Sequence, residues 1–342
     1  MKTIFITGGE GFIGYHLTKE LLKDPQNKVV SYDAQKHYIP FDKSDWALYQ
    51  NYRIQSIGND RIVRLRGDCN DRGWLKESLE EYKPEYIIHL ASLPIASVSN
   101  DYPAEAKYNI FDSITTLLDV LRGVSFSFNR ILYISSSMVY GNFLRDDKGK
   151  IISAYEDQPC KPIGIYGAMK YSGELIVHVY KKRFDIPFVI IRPSSVYGPT
   201  DSNKRVSEIF LKNAMNGNPL FLDNGGQHKL DFTYVEDLVR GIVSASFSKD
   251  ALGETFNITR GEGRKIAELA DIIAKLVPNT KIETSDVVPY RPNRGALNIS
   301  KAKSLLGYSP QFNLEQGMKK YYDFNKKFWD HIDINIYNEI AS

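Results

Sequence analysis

The stretch Thr7-Gly8-Gly9-Glu10-Gly11-Phe12-Ile13-Gly14 decides how this chain is read. Before it, Lys2-Thr3-Ile4-Phe5-Ile6 is a short apolar run, as expected of a buried parallel strand. After it, Tyr15 to Leu22 carries apolar residues at helical spacing. Strand, glycine turn and helix in that order form the setting of a dinucleotide fingerprint. Gly8 permits the tight turn, Gly11 lets backbone approach a pyrophosphate, and Gly14 lets the helix pack on the strand. Phe12 and Ile13 open the helix, where free N–H groups face the phosphates.

Working outward, the next apolar run, Lys28-Val29-Val30-Ser31-Tyr32-Asp33, ends in an acid about 20 residues past the glycines. Asp33 there accepts from both adenosine ribose hydroxyls, and its charge repels a 2′-phosphate, which selects NAD over NADP. A third strand leads into Gly67-Asp68-Cys69, where Asp68 is expected to accept from the adenine amino group, with Cys69 beside it in the cofactor site. A fourth, Tyr86 to Ala91, ends in Leu90 and Ala91, which leave room for the nicotinamide ribose. His89 on that strand reads as a packed residue rather than a base or metal ligand.

A fifth apolar strand, Arg130 to Ile134, delivers Ser135-Ser136-Ser137 to its carboxyl end, where open parallel sheets bind ligands. Some thirty residues later Tyr166 and Lys170 stand four apart in an expected helix over 166–184, and so share one face. A phenol has a pKa of about 10. An ammonium one turn away and the positive nicotinamide both favour the phenolate, which makes a usable base. Lys170 can also bond the nicotinamide ribose, and a serine hydroxyl supplies a second bond to the substrate oxygen. The pattern points to oxidation and reduction of an alcohol carbon.

These segments, with Asn109, Val139-Tyr140-Gly141, Arg192-Pro193, Val196-Tyr197-Gly198-Pro199, Asp231-Phe232-Thr233-Tyr234-Val235 and Arg291-Pro292, resemble the extended short-chain dehydrogenase/reductases of the nucleotide-sugar epimerase/dehydratase type. The likeness covers about residues 1 to 320. It implies NAD as cofactor and a nucleoside-diphosphate sugar as substrate. It makes Ser136 the catalytic hydroxyl and Tyr166 the base, and it places Asn109 at the cofactor site, steadying the active-site helix or its water. Arg291 would hold the diphosphate, with Ser137, Ser195 and Lys229 at the substrate. Dehydratases of this type carry Asp-Glu after the catalytic serine, and decarboxylases keep the glutamate; here Ser137 and Met138 stand there. Dehydration is therefore disfavoured and decarboxylation less strongly so. A nucleotide-sugar 4-epimerase working through a transient 4-keto sugar leads, with a C4 dehydrogenase or 4-keto reductase as the alternative.

Two positions depart from the family pattern. Leu230 stands where an arginine is usual, preceded by His228 and Lys229, and Ser195 stands where asparagine is frequent. Arg291, with Lys229, Arg264 or Arg294, must then carry the phosphates. The resemblance also implies a homodimer in which helices over 104–122 and 166–184 pair, with Ile176, Val179 and Tyr180 facing the partner.

The expected fold is α/β, a Rossmann doubly wound parallel sheet with a smaller C-terminal α/β substrate domain. Residues 1–190 form the NAD-binding domain, with 228–250 returning to it, and 191–227 with 251–330 bind the nucleotide sugar. The connection over 35–61 is long and aromatic, suiting a lid or dimer contact. Apolar content of 42% and a net charge of +3, spread along the chain, are ordinary for a globular protein and give no footing for nucleic acid. The chain opens directly on its first strand and has no apolar run near the ~20 residues that span a bilayer, so neither a secretion signal nor a membrane partner is expected. Two cysteines, Cys69 and Cys160, fit neither a metal site nor a disulfide framework, and a cytoplasmic location is expected.

Overall fold

The computed structural model describes residues 1–38, 43–58, 60–285 and 292–331. Its first half alternates strand and helix: β1 (Lys2–Thr7), α1 (Phe12–Leu21), β2 (Asn27–Asp33), α2 (Lys43–Gln55), β3 (Ile62–Arg66), α3 (Arg72–Tyr82) and β4 (Tyr86–His89). Then come α4 (Ala96–Asp101), α5 (Pro103–Ala106), a π-helical turn (Lys107–Asp112), α6 (Ser113–Leu121), β5 (Arg130–Ile134), α7 (Ile165–Phe184) and β6 (Phe188–Arg192). The seven-stranded sheet has the order β3-β2-β1-β4-β5-β6, completed beyond β6 by β11 (Thr255–Asn257), every pair parallel. Strand order reverses between β1 and β4, and the crevice at that switch point, outside the carboxyl ends, is where such sheets bind ligands.

Strand side chains alternate between two buried faces. Ile4, Ile6, Val29, Ile88, Leu132 and Ile191 pack with α1 and with Leu238 and Ile242 of α9 (Val235–Phe247). Phe5, Val30, Ile87, Ile131 and Ile190 pack on the opposite face with Leu75 of α3, Leu117 of α6 and Val177 of α7. A separate core joins β7 (Val196–Tyr197), α8 (Val206–Met215), β8 (Leu220–Asp223), β10 (Thr233–Tyr234), α10 (Ile266–Leu276) and α12 (Leu314–Asp330). Beside it, β9 (Lys229–Asp231) pairs antiparallel with β12 (Gly263–Lys265), and β13 (Ile282–Ser285) parallel with β8.

Several boundaries differ from expectation. The strand that rejoins the large sheet is β11, five to seven positions past the expected 228–250 return; within 228–250, α9 lies on the sheet and β9 and β10 pair elsewhere. The helix expected over 104–122 is broken by the π turn at Lys107–Asp112. Of the three positions expected to face a partner, Val179 is half exposed, but Ile176 and Tyr180 pack against the core; Leu175 and Phe184 are further exposed apolar residues on α7. About half of the 35–61 connection is the helix α2, and α12 was not foreseen. Its first turn is closed by a capping box, in which Asn313 Oδ1 accepts from Gln316 N and Gln316 Oε1 from Asn313 N. Leu314, Met318 and Tyr321 lie on its buried face, and complete burial of such side chains contributes about 1.5–3 kcal/mol each.

Asp231 ties the second lobe together. Its buried carboxylate accepts from Thr259 Oγ1 (2.9 Å), Gly261 N (3.1 Å) and Leu297 N (2.9 Å).

Candidate active site

One cavity of about 980 Å³ runs along the carboxyl ends of the strands and between the two cores. Gly8 lies at its floor with φ +74°, and a methyl there would sit 2.7 Å from Ala91 N. A methyl on Gly14 would sit 2.4 Å from Gly8 O, so α1 rests directly on the turn. Gly11, the residue before α1, offers no side-chain cap, which leaves the N–H groups at Phe12 and Ile13 for a ligand.

Asp33 is held by two amides, Glu10 N at 3.0 Å to one oxygen and Gln35 N at 2.7 Å to the other. Burial pushes its pKa up, and those two donors oppose the rise. A carboxylate offers about four acceptor positions. Two remain, which fits a ribose diol and not a second anion. Asp68 lines the cavity too, its carboxylate accepting from Lys36 Nζ at 2.6 Å and Asn70 N at 2.9 Å. Cys69, Leu90 and Ala91 line the cavity as expected, and burial holds the Cys69 thiol up at about 12, which keeps it unreactive. His89 is packed between Thr7 Oγ1 (2.8 Å) and Ser113 Oγ (3.4 Å), and burial lowers its pKa to about 3.

Ser136 follows β5 in extended backbone and accepts Met138 N on its Oγ at 3.1 Å. Tyr166 and Lys170 stand one turn apart on α7, with Nζ 6.0 Å from the Tyr166 ring centroid and donating to Ile134 O at 2.8 Å. Burial lowers the Lys170 pKa to about 7, against the pull of Glu174 one turn further on. Burial raises that of Tyr166, opposed by the Arg205 charge and a bond to Ser136. The phenol is thus neutral at rest and gains acidity only when positive charge arrives beside it.

Three groups escaped the sequence reading. Arg205, at the start of α8, lines the cavity on the Tyr166 side and is anchored on Asp201 Oδ1 at 2.8 Å. It sits at the end of a loop with left-handed backbone at Ser195 (φ +39°), Thr200 (φ +69°) and Lys204 (φ +50°), strain of a kind that collects at functional sites. The turn-formers Asp201-Ser202-Asn203 before an amphipathic helix were its only local signal. Glu174 continues the Tyr166–Lys170 face and takes a two-pronged contact from Arg192, with Nε at 2.9 Å and Nη2 at 2.6 Å. Ser135 Oγ donates to the same carboxylate, and Arg192 Nη1 reaches Tyr140 Oη at 2.9 Å. The third is Arg53, on the inner face of α2.

Asn109 lies in the π turn and lines the cavity, yet its amide bonds Glu105 O (2.8 Å) and its carbonyl takes Tyr38 Oη (3.3 Å), not α7. π turns recur at functional sites. Ser137, Ser195 and Lys229 all line the same cavity, and Arg294 lies there with its Nη1 3.3 Å from Met138 Sδ. Arg264 does not: it pairs with Glu315, Glu268 and Glu262 away from the cavity wall. Arg291 lies outside the described residues. Among the described residues no cluster could hold a metal ion, and no helix is long and apolar enough to cross a membrane.

A glycine turn for phosphates, a diol-binding acid and a serine–tyrosine–lysine set converging on one crevice define a dinucleotide-dependent enzyme that works on alcohol and carbonyl carbons. The chain belongs to the NAD dependent epimerase/dehydratase family, whose sequence model matches residues 4–259, and its cofactor is NAD. It is 32% identical over 321 residues to YtcB of Bacillus subtilis, an uncharacterized UDP-glucose epimerase, covering 92% of this chain and 95% of that one. The dTDP-glucose 4,6-dehydratase of Haemophilus influenzae is 27% identical, over 95% and 99% of the two chains. Among solved structures, the UDP-glucuronic acid 4-epimerase of Bacillus cereus, in complex with UDP-glucuronic acid and NAD, superposes with a TM-score of 0.86 at 31% identity, covering 95% and 99%.

Proposed function

We propose that the protein is a 4-epimerase of nucleoside-diphosphate sugars. The observation that carries this reading is what surrounds the reacting carbon. Elimination of water across C5 and C6 needs a carboxyl pair beside the catalytic serine, and Ser137 and Met138 occupy those places. Among the described residues the acids lining the cavity are Glu10, Asp33, Asp68 and Asp223; none lies on the Ser135–Met138 or Tyr166–Lys170 segments. Likeness to the Bacillus cereus 4-epimerase supports the same reading.

NAD, when bound, supplies the hydride acceptor and donor at C4. Tyr166 removes the proton from the C4 hydroxyl as the hydrogen leaves, and Ser136 holds the same oxygen through its Oγ. Lys170 keeps positive charge next to the phenolate. A 4-keto sugar then turns over within the wide cavity and takes the hydride back on the other face of C4, while Tyr166 returns the proton to the C4 oxygen. Ser195, Lys229 and Arg291 bind the nucleotide sugar, with Arg205 a further cation on the Tyr166 side. Residues 1–190 with 228–257 serve the cofactor, and the remainder to 330 the sugar nucleotide.

Incubation with UDP-glucose, UDP-glucuronic acid or their N-acetyl analogues, followed by proton NMR, should show the C4 epimer accumulating to equilibrium with no net absorbance change at 340 nm. Stoichiometric NADH, or a 4-keto-6-deoxy product, would sink the epimerase reading in favour of one-way redox or dehydration.

The enzyme is further proposed to be a homodimer through α6 and α7, where Leu175 and Val179 are each half exposed. Covering such apolar surface is favourable by roughly 25 cal/mol per Å². Sedimentation at micromolar concentration should give twice the subunit mass, and a single subunit's mass would rule the dimer out.

A further inference from the structure

Helix α2 fills the connection between β2 and β3 and has two working faces. One is fastened to the last described helix, α12. The Tyr49 ring stacks on Phe328 with centroids 4.8 Å apart, the Tyr52 ring meets Phe324 edge-on at 5.4 Å, and Tyr49 Oη donates to Asn325 Oδ1 at 2.7 Å. The other face carries Trp46, Gln50 and Arg53 to the wall of the cofactor crevice.

Arg53 is the unexplained group there. It is 4% exposed. Its Nη1 donates to Glu10 O at 2.7 Å and its Nη2 reaches Thr200 O at 3.5 Å, while its buried Nε has no partner. No carboxylate lies within ion-pair distance of it among the described residues. The nearby acids are engaged elsewhere: Asp33 by two amides, Glu10 by Ser31 and Arg64, and Asp201 by Arg205. A buried cation facing only carbonyls is costly unless an anion completes it. The two carbonyls it touches belong to the phosphate turn and to the loop that faces it across α1. A guanidinium in that position meets the oxygens of a diphosphate seated on the α1 N-terminus, with planar donors suited to two oxygens at once.

We propose that Arg53 is a ligand of the dinucleotide pyrophosphate, and that α2 is a strap, anchored on α12, that holds it in place. The proposal rests on the dependence on NAD and not on which sugar reaction follows, so its failure would leave the epimerase reading standing.

The test is calorimetric binding of adenosine, ADP and NAD to the full-length protein freed of nucleotide. Arg53→Gln should weaken ADP and NAD about 10- to 100-fold, the loss of one charge-assisted contact, and leave adenosine within about twofold. Arg53→Lys should recover part of the loss, since it keeps the charge without the fork. The melting temperature of the nucleotide-free variant should hold or rise, because an uncompensated buried charge has gone, while the increment produced by saturating NAD shrinks. Equal losses for adenosine and ADP, or none for ADP, would overturn the assignment and make Arg53 a prop for the Glu10 carbonyl. A loss seen only with 2′-phosphoadenosine ligands would overturn it too, moving the guanidinium to the ribose. Phe328→Ala, which loosens the anchor, should speed NAD release severalfold; an unchanged rate would remove the strap from the proposal.

Discussion

Tyr166→Phe is expected to stop turnover while the protein stays folded and keeps its NAD. The substitution removes one oxygen, the atom that must take and return the C4 proton, and leaves the ring that packs beside Leu93 and Ile95. Loss of a positioned general base lowers rates by about 10²–10⁴. Because burial raises the phenol's pKa, the unaltered enzyme should show kcat/KM rising with pH as that group ionises. Lys170→Met withdraws the neighbouring cation, so the same rising limb should move to higher pH. The measurements are turnover by NMR, the pH profile, and NAD content by absorbance after denaturation. A Tyr166→Phe protein with near-normal turnover would remove Tyr166 from the mechanism.

Arg192→Met should cost about 3–5 kcal/mol of folding stability, the range for stranding one member of a buried ion pair. Arg192 and Glu174 are both nearly inaccessible to solvent, and their two-pronged contact joins β6 to the middle of α7. Met fills similar volume without donors, leaving the Glu174 carboxylate with Ser135 Oγ as its remaining side-chain donor among the described residues. Adding Glu174→Leu removes the stranded charge, so the double variant should regain much of the loss. Urea unfolding measures both. A single variant within about 1 kcal/mol of the parent, the range of exposed pairs, would show that this contact does not hold α7 to the sheet.

What was legible in the chain was what is local. The strand–turn–helix at Thr7–Gly14, the acid closing β2 and the four-residue interval from Tyr166 to Lys170 each signal within one or two turns of backbone. The described site residues accordingly line one cavity. The apolar spacing of α10, from Ile266 to Leu276, is local in the same way. Pairings distant in sequence were not legible. Nothing near Asp68 announces that Lys36, 32 positions earlier, pairs with its carboxylate, nor that Arg192 would claim Glu174. Two helices were missed for different reasons. α2 is polar, and its aromatics find partners far along the chain or outside the helix: Tyr49 and Tyr52 on α12, Tyr52 also on Tyr15 of α1, and Trp46 on His37. α12 carries its capping box and apolar period in plain view, but its buried face meets a lobe assembled from segments that reach back more than a hundred positions.

The hydrogen bond from Tyr49 to Asn325 spans 276 positions. At synthesis rates of 5–20 residues per second, roughly 14–55 s separate the appearance of its two ends. For that interval the nascent N-terminal lobe has its phosphate turn but not the helix against which α2 seats. The contact that seats α2 therefore waits on synthesis of nearly the whole chain, and the N-terminal wall of the crevice is completed by one of the last helices to appear.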